Sequence, residues 1–167
     1  MKSTGFACTI YCGTALNLVP FELALVWGRV TLQNEAFLSS VHMLSGQDAT
    51  VGGAYSHLSY FLTGESRVYE RFGQHGAQFG RNKPFTNFFA SPAGVGWGAW
   101  EAKARWSTLN LTDVGGGQYN DLTAGLNWYW SDRTRIMFDW IHPFTSRDTV
   151  FGDTSSDLFA MRFDVNW

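Results

Sequence analysis

Residues 159–167 read FAMRFDVNW. Alternate positions hold Phe159, Met161, Phe163, Val165 and Trp167, and between them stand Ala160, Arg162, Asp164 and Asn166. Side chains two apart on a strand share a face, so this stretch is a strand with one oily side and one polar side. The same period runs back through the chain. Ile136, Phe138 and Trp140 oppose Arg135 and Asp139, although Met137 and Ile141 blur the polar side. Leu122, Ala124, Leu126, Trp128 and Trp130 alternate with Asp121, Thr123, Gly125, Asn127 and Tyr129. Trp100, Ala102, Ala104 and Trp106 alternate with Glu101, Lys103, Arg105 and Ser107. Two more strands fit residues 51–65 and 29–43, and a less clean one covers about 20–28. Turn-forming residues separate them at 45–48, 113–117, 131–133 and 146–156. Seven strands and no convincing helix make the chain all-β. The segment Gly64 to Gly96, which holds Pro84 and Pro92, is its one large loop.

Alternation alone fits a soluble barrel or sandwich with apolar residues inward, and equally a membrane barrel with them outward. Three observations favour the membrane. Residues 157–167 would reach about 36 Å extended, or about 26 Å at a 45° tilt, which matches the apolar band of an outer-membrane barrel. The opposite face is strongly hydrophilic, with Glu101, Lys103 and Arg105 in consecutive same-face positions. Finally, a strand ending on Phe163, Val165 and Trp167 resembles the C-terminal signal by which bacterial outer-membrane barrels engage their insertion machinery. The aromatic girdles fit less well. Trp100 and Trp106 stand only about 14 Å apart along the membrane normal at that tilt, too close for opposite girdles.

Composition agrees with a folded, lipid-exposed chain. Of 167 residues, 45% are hydrophobic and only 16% charged, against roughly 25% charged in soluble domains. The net charge of −2 gives no case for nucleic-acid binding. Cys8 and Cys12 form a lone C-x-x-x-C, which without a second ligand pair is a poor zinc signature. Residues 1–20 stay unassigned. Met1-Lys2 and the uncharged run Gly5 to Pro20 are shaped like a short signal peptide, an extra strand, or a start set inside a longer reading frame. Residues 13–28 come nearest to a membrane helix, but Pro20 and Glu22 interrupt them.

Four stretches resemble the C-terminal half of the phosphate-selective porin O/P family. YFLTGESRVY (60–69) is similar to the family's segment that ends a strand and opens a long loop. AQFGRNKPF (77–85) is similar to the stretch that follows, with Ala77 in place of Gly and Asn82 in place of Val. GAWEAKARWSTLNL (98–111) resembles a Gly-Ala-Trp-Glu strand, with Trp106 in place of Tyr, and LTAGLNWYW (122–130) resembles a later Gly-Leu-Asn-Trp-Tyr strand. Weaker similarity reaches back to about Phe21, so residues 21–167 read as the C-terminal part of a porin barrel. The resemblance implies a sixteen-stranded, trimeric outer-membrane porin with loops folded inward, of which this chain would supply about the last seven strands. It also implies outer-membrane lipid, the barrel insertion machinery, two further copies and permeating small anions as partners, and no cofactor.

An anion passage needs cations in a confined space, where fixed positive charge replaces lost hydration. Candidates on the polar face are Arg29, Lys103, Arg105, Arg135 and Arg162; in the long loop they are Arg67, Arg71, Arg81 and Lys83. Arg suits phosphate through its bidentate fork, and Lys serves as a mobile point charge. A purely solvating role competes, because Glu101 flanks Lys103 and Asp164 flanks Arg162. Phosphate preference itself comes from the resemblance alone.

No catalytic constellation stands out. Ser59 and His57 share a face but lack an orienting acid. Gly115-Gly116-Gly117 has no following Lys-Ser/Thr and reads as a turn, while Asp148, Asp153 and Asp157 match no calcium loop. Asn110-Leu111-Thr112 is a chance glycosylation sequon. The reading is therefore a non-enzymatic porin segment for small anions. A truncated, non-conducting structural barrel and a soluble ligand-binding barrel are the alternatives.

Overall fold

A strand whose side chains alternate in character can satisfy both faces only by lying between two different environments. The computed structural model describes residues 13–43, 48–73, 76–88, 96–146 and 155–166. Among the described residues nine strands follow in chain order: β1 (Gly13–Trp27), β2 (Val30–Met43), β3 (Asp48–Phe61), β4 (Tyr69–Gly73), β5 (Gly76–Phe79), β6 (Ala99–Leu111), β7 (Gly117–Tyr129), β8 (Thr134–Ser146) and β9 (Leu158–Val165). Seven form one sheet in the order β1-β2-β3-β6-β7-β8-β9, every neighbouring pair antiparallel. β4 and β5 form a separate hairpin. Among the described residues the only helical segment is a single 3-10 turn, Thr112–Val114, closed by Gly115 at φ 77°. The all-β, seven-stranded antiparallel expectation holds.

Four boundaries differ from those expected. β3 covers Asp48–Phe61 instead of 51–65. β1 begins at Gly13, well before residue 20, and Pro20 lies within it opposite Phe37. β1 is an edge strand, where a residue without an N–H is tolerated. The expected large loop contains the β4–β5 hairpin, in which Tyr69 faces Phe79 with ring centroids 5.4 Å apart. Strands of five and four residues are too short to print a period-two signal. β9 covers eight residues instead of eleven, and the Asn166 N–H continues its ladder by donating to the Arg133 carbonyl at 2.9 Å. Trp167 lies outside the described residues, as do Cys8, Cys12, Pro92, Asp148 and Asp153.

The register assembles side chains into rows. Leu25, Leu32, Leu58, Ala104, Ala124, Trp140 and Phe159 form one apolar row across all seven strands. Neighbouring rows on the opposite face include Gln33, His57, Arg105 and Thr123, then Thr31, Ser59, Lys103, Gly125 and Asp139. Burial is inverted relative to a soluble sandwich. Thr31, Ser39, Ser59, Glu101 and Asn127 are buried, whereas Trp27, Phe159 and Met161 are 87%, 83% and 72% exposed. Exposed aliphatic and aromatic surface of this extent suits a lipid contact and not a dry inter-sheet core. Six of the sheet strands run thirteen to fifteen residues, about 30 Å of membrane normal for the shortest at a 45° tilt. Alternating strand direction places the connections after β1, β3 and β7, with the end of β9, at one rim; those after β2, β6 and β8 lie at the other.

Candidate functional site

The polar face of the sheet is not uniformly cationic. Lys103 on β6 reaches across β7 to Asp139 on β8, with 2.9 Å between Nζ and Oδ1. Gly125 lies between them in register, and a Cβ there would meet the Asp139 carboxylate and, at 2.6 Å, Lys103 Cε. The glycine thus leaves the channel through which this ion pair crosses a strand. Arg135 pairs with Asp164 directly opposite it on β9, at 2.8 Å. Arg105 stacks over the Tyr55 ring at 4.5 Å, and Tyr55 in turn donates to Glu35. Glu22 faces Glu35 across β1 and β2, so the wall carries carboxylates as well as cations on the same side. Arg162 is exposed on β9 opposite Met137, and Arg29 falls in the turn between β1 and β2, not on a strand.

The loop candidates converge at one rim. Arg67, Arg81 and Lys83 line an open groove of about 730 Å³ together with Arg133 and Arg135, facing Tyr129 and Asn166. Asp132 is the one acidic residue in that lining. Arg67 and Arg135 carry their own carboxylates, Glu101 and Asp164, so Arg81, Lys83 and Arg133 against Asp132 leave the local field positive despite the chain's net negative charge. Among the described residues Arg81 and Lys83 have no ion-pair partner, and both are exposed. Lys103, Arg105 and Arg162 do not join this groove. Arg71 falls on β4, and its side chain lies outside the described residues.

A buried carboxylate stands behind the groove. Glu101, fully buried on β6, accepts from Arg67 Nη2 at 2.5 Å, from Asn127 Nδ2 at 2.8 Å and from the Tyr129 hydroxyl at 2.7 Å. Tyr129 Oη also accepts from Asn82 Nδ2 at 3.1 Å. A second buried carboxylate, Glu65 at 3% exposure, accepts from Thr63 Oγ1 and from the Phe85 N–H, holding the two arms of the long connection together. Arg133 escapes a sequence reading because its neighbours spell a turn. Glu101 reads there as a local partner of Lys103, whereas its actual partner comes from 34 residues away. The one available signal was that Glu65, Arg67, Asn82, Glu101, Asn127 and Tyr129 all fall in the four stretches that carry the family resemblance.

The comparisons with known proteins agree with this architecture. An uncharacterized protein of Caulobacter vibrioides is 33% identical over 122 residues, covering 71% of this chain and 23% of that protein. Porin O of Pseudomonas aeruginosa is 30% identical over 128 residues, covering 70% of this chain and 27% of Porin O. The chain therefore spans about a quarter of the length of the curated relatives it matches. The profile of phosphate-selective porin O and P proteins matches residues 10–167, a start earlier than the similarity legible from Phe21. With the inverted sheet and this match over nearly its whole length, the chain belongs to the phosphate-selective porin O and P family.

Proposed function

We propose that this sheet forms part of the wall of an outer-membrane pore for small anions such as phosphate, and that the rim groove is its cationic mouth. The observation that carries this reading is the groove itself, where Arg81, Lys83 and Arg133 stand beside the ion-paired Arg67 and Arg135 and Asp132 is the one acidic residue of the lining. Fixed guanidinium and ammonium groups in a confined aqueous space replace the hydration shell of an entering anion. The carboxylates along the wall argue that anion preference is set at the groove and not by the strands. β1 and β9 are sheet edges, and unpaired edges are costly in lipid. The chain therefore acts within a larger barrel, trimeric as the family reading expects.

The test is a chimera in which this chain replaces the matching region of Porin O, reconstituted in planar bilayers. Arg81→Gln with Lys83→Gln should lower phosphate affinity about tenfold, the scale of two partly screened charge contacts. Unchanged anion selectivity in that double variant would refute the assignment of the groove.

A further inference from the structure

We propose that Glu101 is a positioning residue that clamps the long connection to the wall and thereby fixes Arg81 and Lys83 at the mouth of the passage; this rests on the function proposed above. Two arms run from its carboxylate into the connection. Arg67 binds it directly, and Asn82 is held through the Tyr129 hydroxyl, which donates to Glu101 and accepts from Asn82. Asn82 lies between Arg81 and Lys83 in the chain, so the second arm ends between two groove cations that, like Arg133, have no ion-pair partner among the described residues. Arg67 also lies over the Phe79 ring at 5.3 Å, and the Gly80 N–H donates to the Val68 carbonyl at 2.9 Å, joining the arms of the hairpin beside the clamp. Four sequence-distant stretches meet at this one buried group: 60–69 through Arg67, 77–85 through Asn82, 98–111 through Glu101 itself, and 122–130 through Asn127 and Tyr129. A buried carboxylate with three donors is strongly held, and removing its charge leaves Arg67 without its counter-ion.

Hydrogen exchange on the Porin O chimera carrying this chain, in lipid vesicles and read beside inorganic phosphate titration, tests the clamp. Glu101→Gln should speed amide exchange at Gly80 and Phe85 about tenfold or more, the scale of one lost charge-assisted hydrogen bond, while exchange in the β6–β7 ladder stays unchanged. Tyr129→Phe should release the 80–85 arm and leave the Arg67 arm in place, and Glu101→Asp should restore part of the protection. The reversed pair Arg67→Glu with Glu101→Arg supplies a folded control if Glu101→Gln fails to assemble. Unchanged exchange over 64–88 in Glu101→Gln and Tyr129→Phe, with an intact ladder, overturns the proposal. So does faster exchange throughout the sheet, which would make Glu101 a general wall residue. Phosphate affinity should fall about tenfold in Glu101→Gln along with the lost protection. Failure of the otherwise unaltered chimera to bind phosphate would instead overturn the anion reading, with the clamp still judged on exchange.

Discussion

Leu32 and Gln33 are adjacent on β2, at the same depth and on opposite faces, so one charge placed at each position in turn reports which side of the sheet meets lipid. Leu32 stands in the apolar row between Leu25 and Leu58, which are 51% and 49% exposed. Gln33 points the other way and donates to Glu35 and to the Tyr55 hydroxyl, so an arginine there finds a carboxylate within reach. Leu32 is the third residue of β2, close to the rim, where a lipid-facing cation costs about 1 kcal/mol against about 2–4 at the bilayer midplane. That cost corresponds to a loss of roughly fivefold in the folded-to-unfolded ratio. Leu32→Arg should lower the urea midpoint of the vesicle-inserted Porin O chimera by an amount of that order. Gln33→Arg should change it by about 0.5 kcal/mol or less, as polar-face substitutions away from special features do. Refolding into vesicles followed by tryptophan fluorescence supplies the measurement. Equal penalties, or a larger one at Gln33, would refute the assignment of the oily face to lipid and with it the passage on the other side.

Three further outcomes follow from the geometry. Gly125→Ala should destabilise the sheet by about 1–3 kcal/mol, because the added Cβ collides with the Lys103–Asp139 pair; the urea midpoint measures it. Asp164→Asn removes the carboxylate beside Arg135, so phosphate should bind the groove up to about fivefold more tightly at low salt and lose that gain at high salt. The 167-residue chain by itself should give no steady, ion-selective conductance in a planar bilayer, since its sheet ends in two edges, and such a conductance would contradict the need for further strands.

How far the sequence discloses this molecule depends on how local each signal is. The strand faces are legible because alternation is a property of consecutive residues, and positions such as Phe159, Met161 and Phe163 declare their side without reference to any other strand. β1 is less legible, because at an edge the ladder tolerates Pro20 and both of its faces carry exposed apolar residues such as Leu18 and Val19. The β4–β5 hairpin is hidden by its brevity. In the site, the sequence names most of the groove cations but not their company. Nothing in the local spacing says that Arg67 meets Glu101, that Lys103 meets Asp139 across a glycine, or that Asn82 reaches Tyr129, since these pairs are 34, 36 and 47 residues apart. Such contacts are fixed by sheet register, and register is a long-range property.

The two-sided rows also govern which changes in length the chain can absorb. Adding or deleting one residue within β6, for example, would turn every side chain beyond that point over, sending Lys103 or Arg105 into hydrocarbon and Trp106 into water. Only a compensating bulge or a change of two residues preserves sidedness. Single-residue indels in homologous chains should therefore accumulate in the connections at the two rims, while the spans between them drift by substitution at constant length.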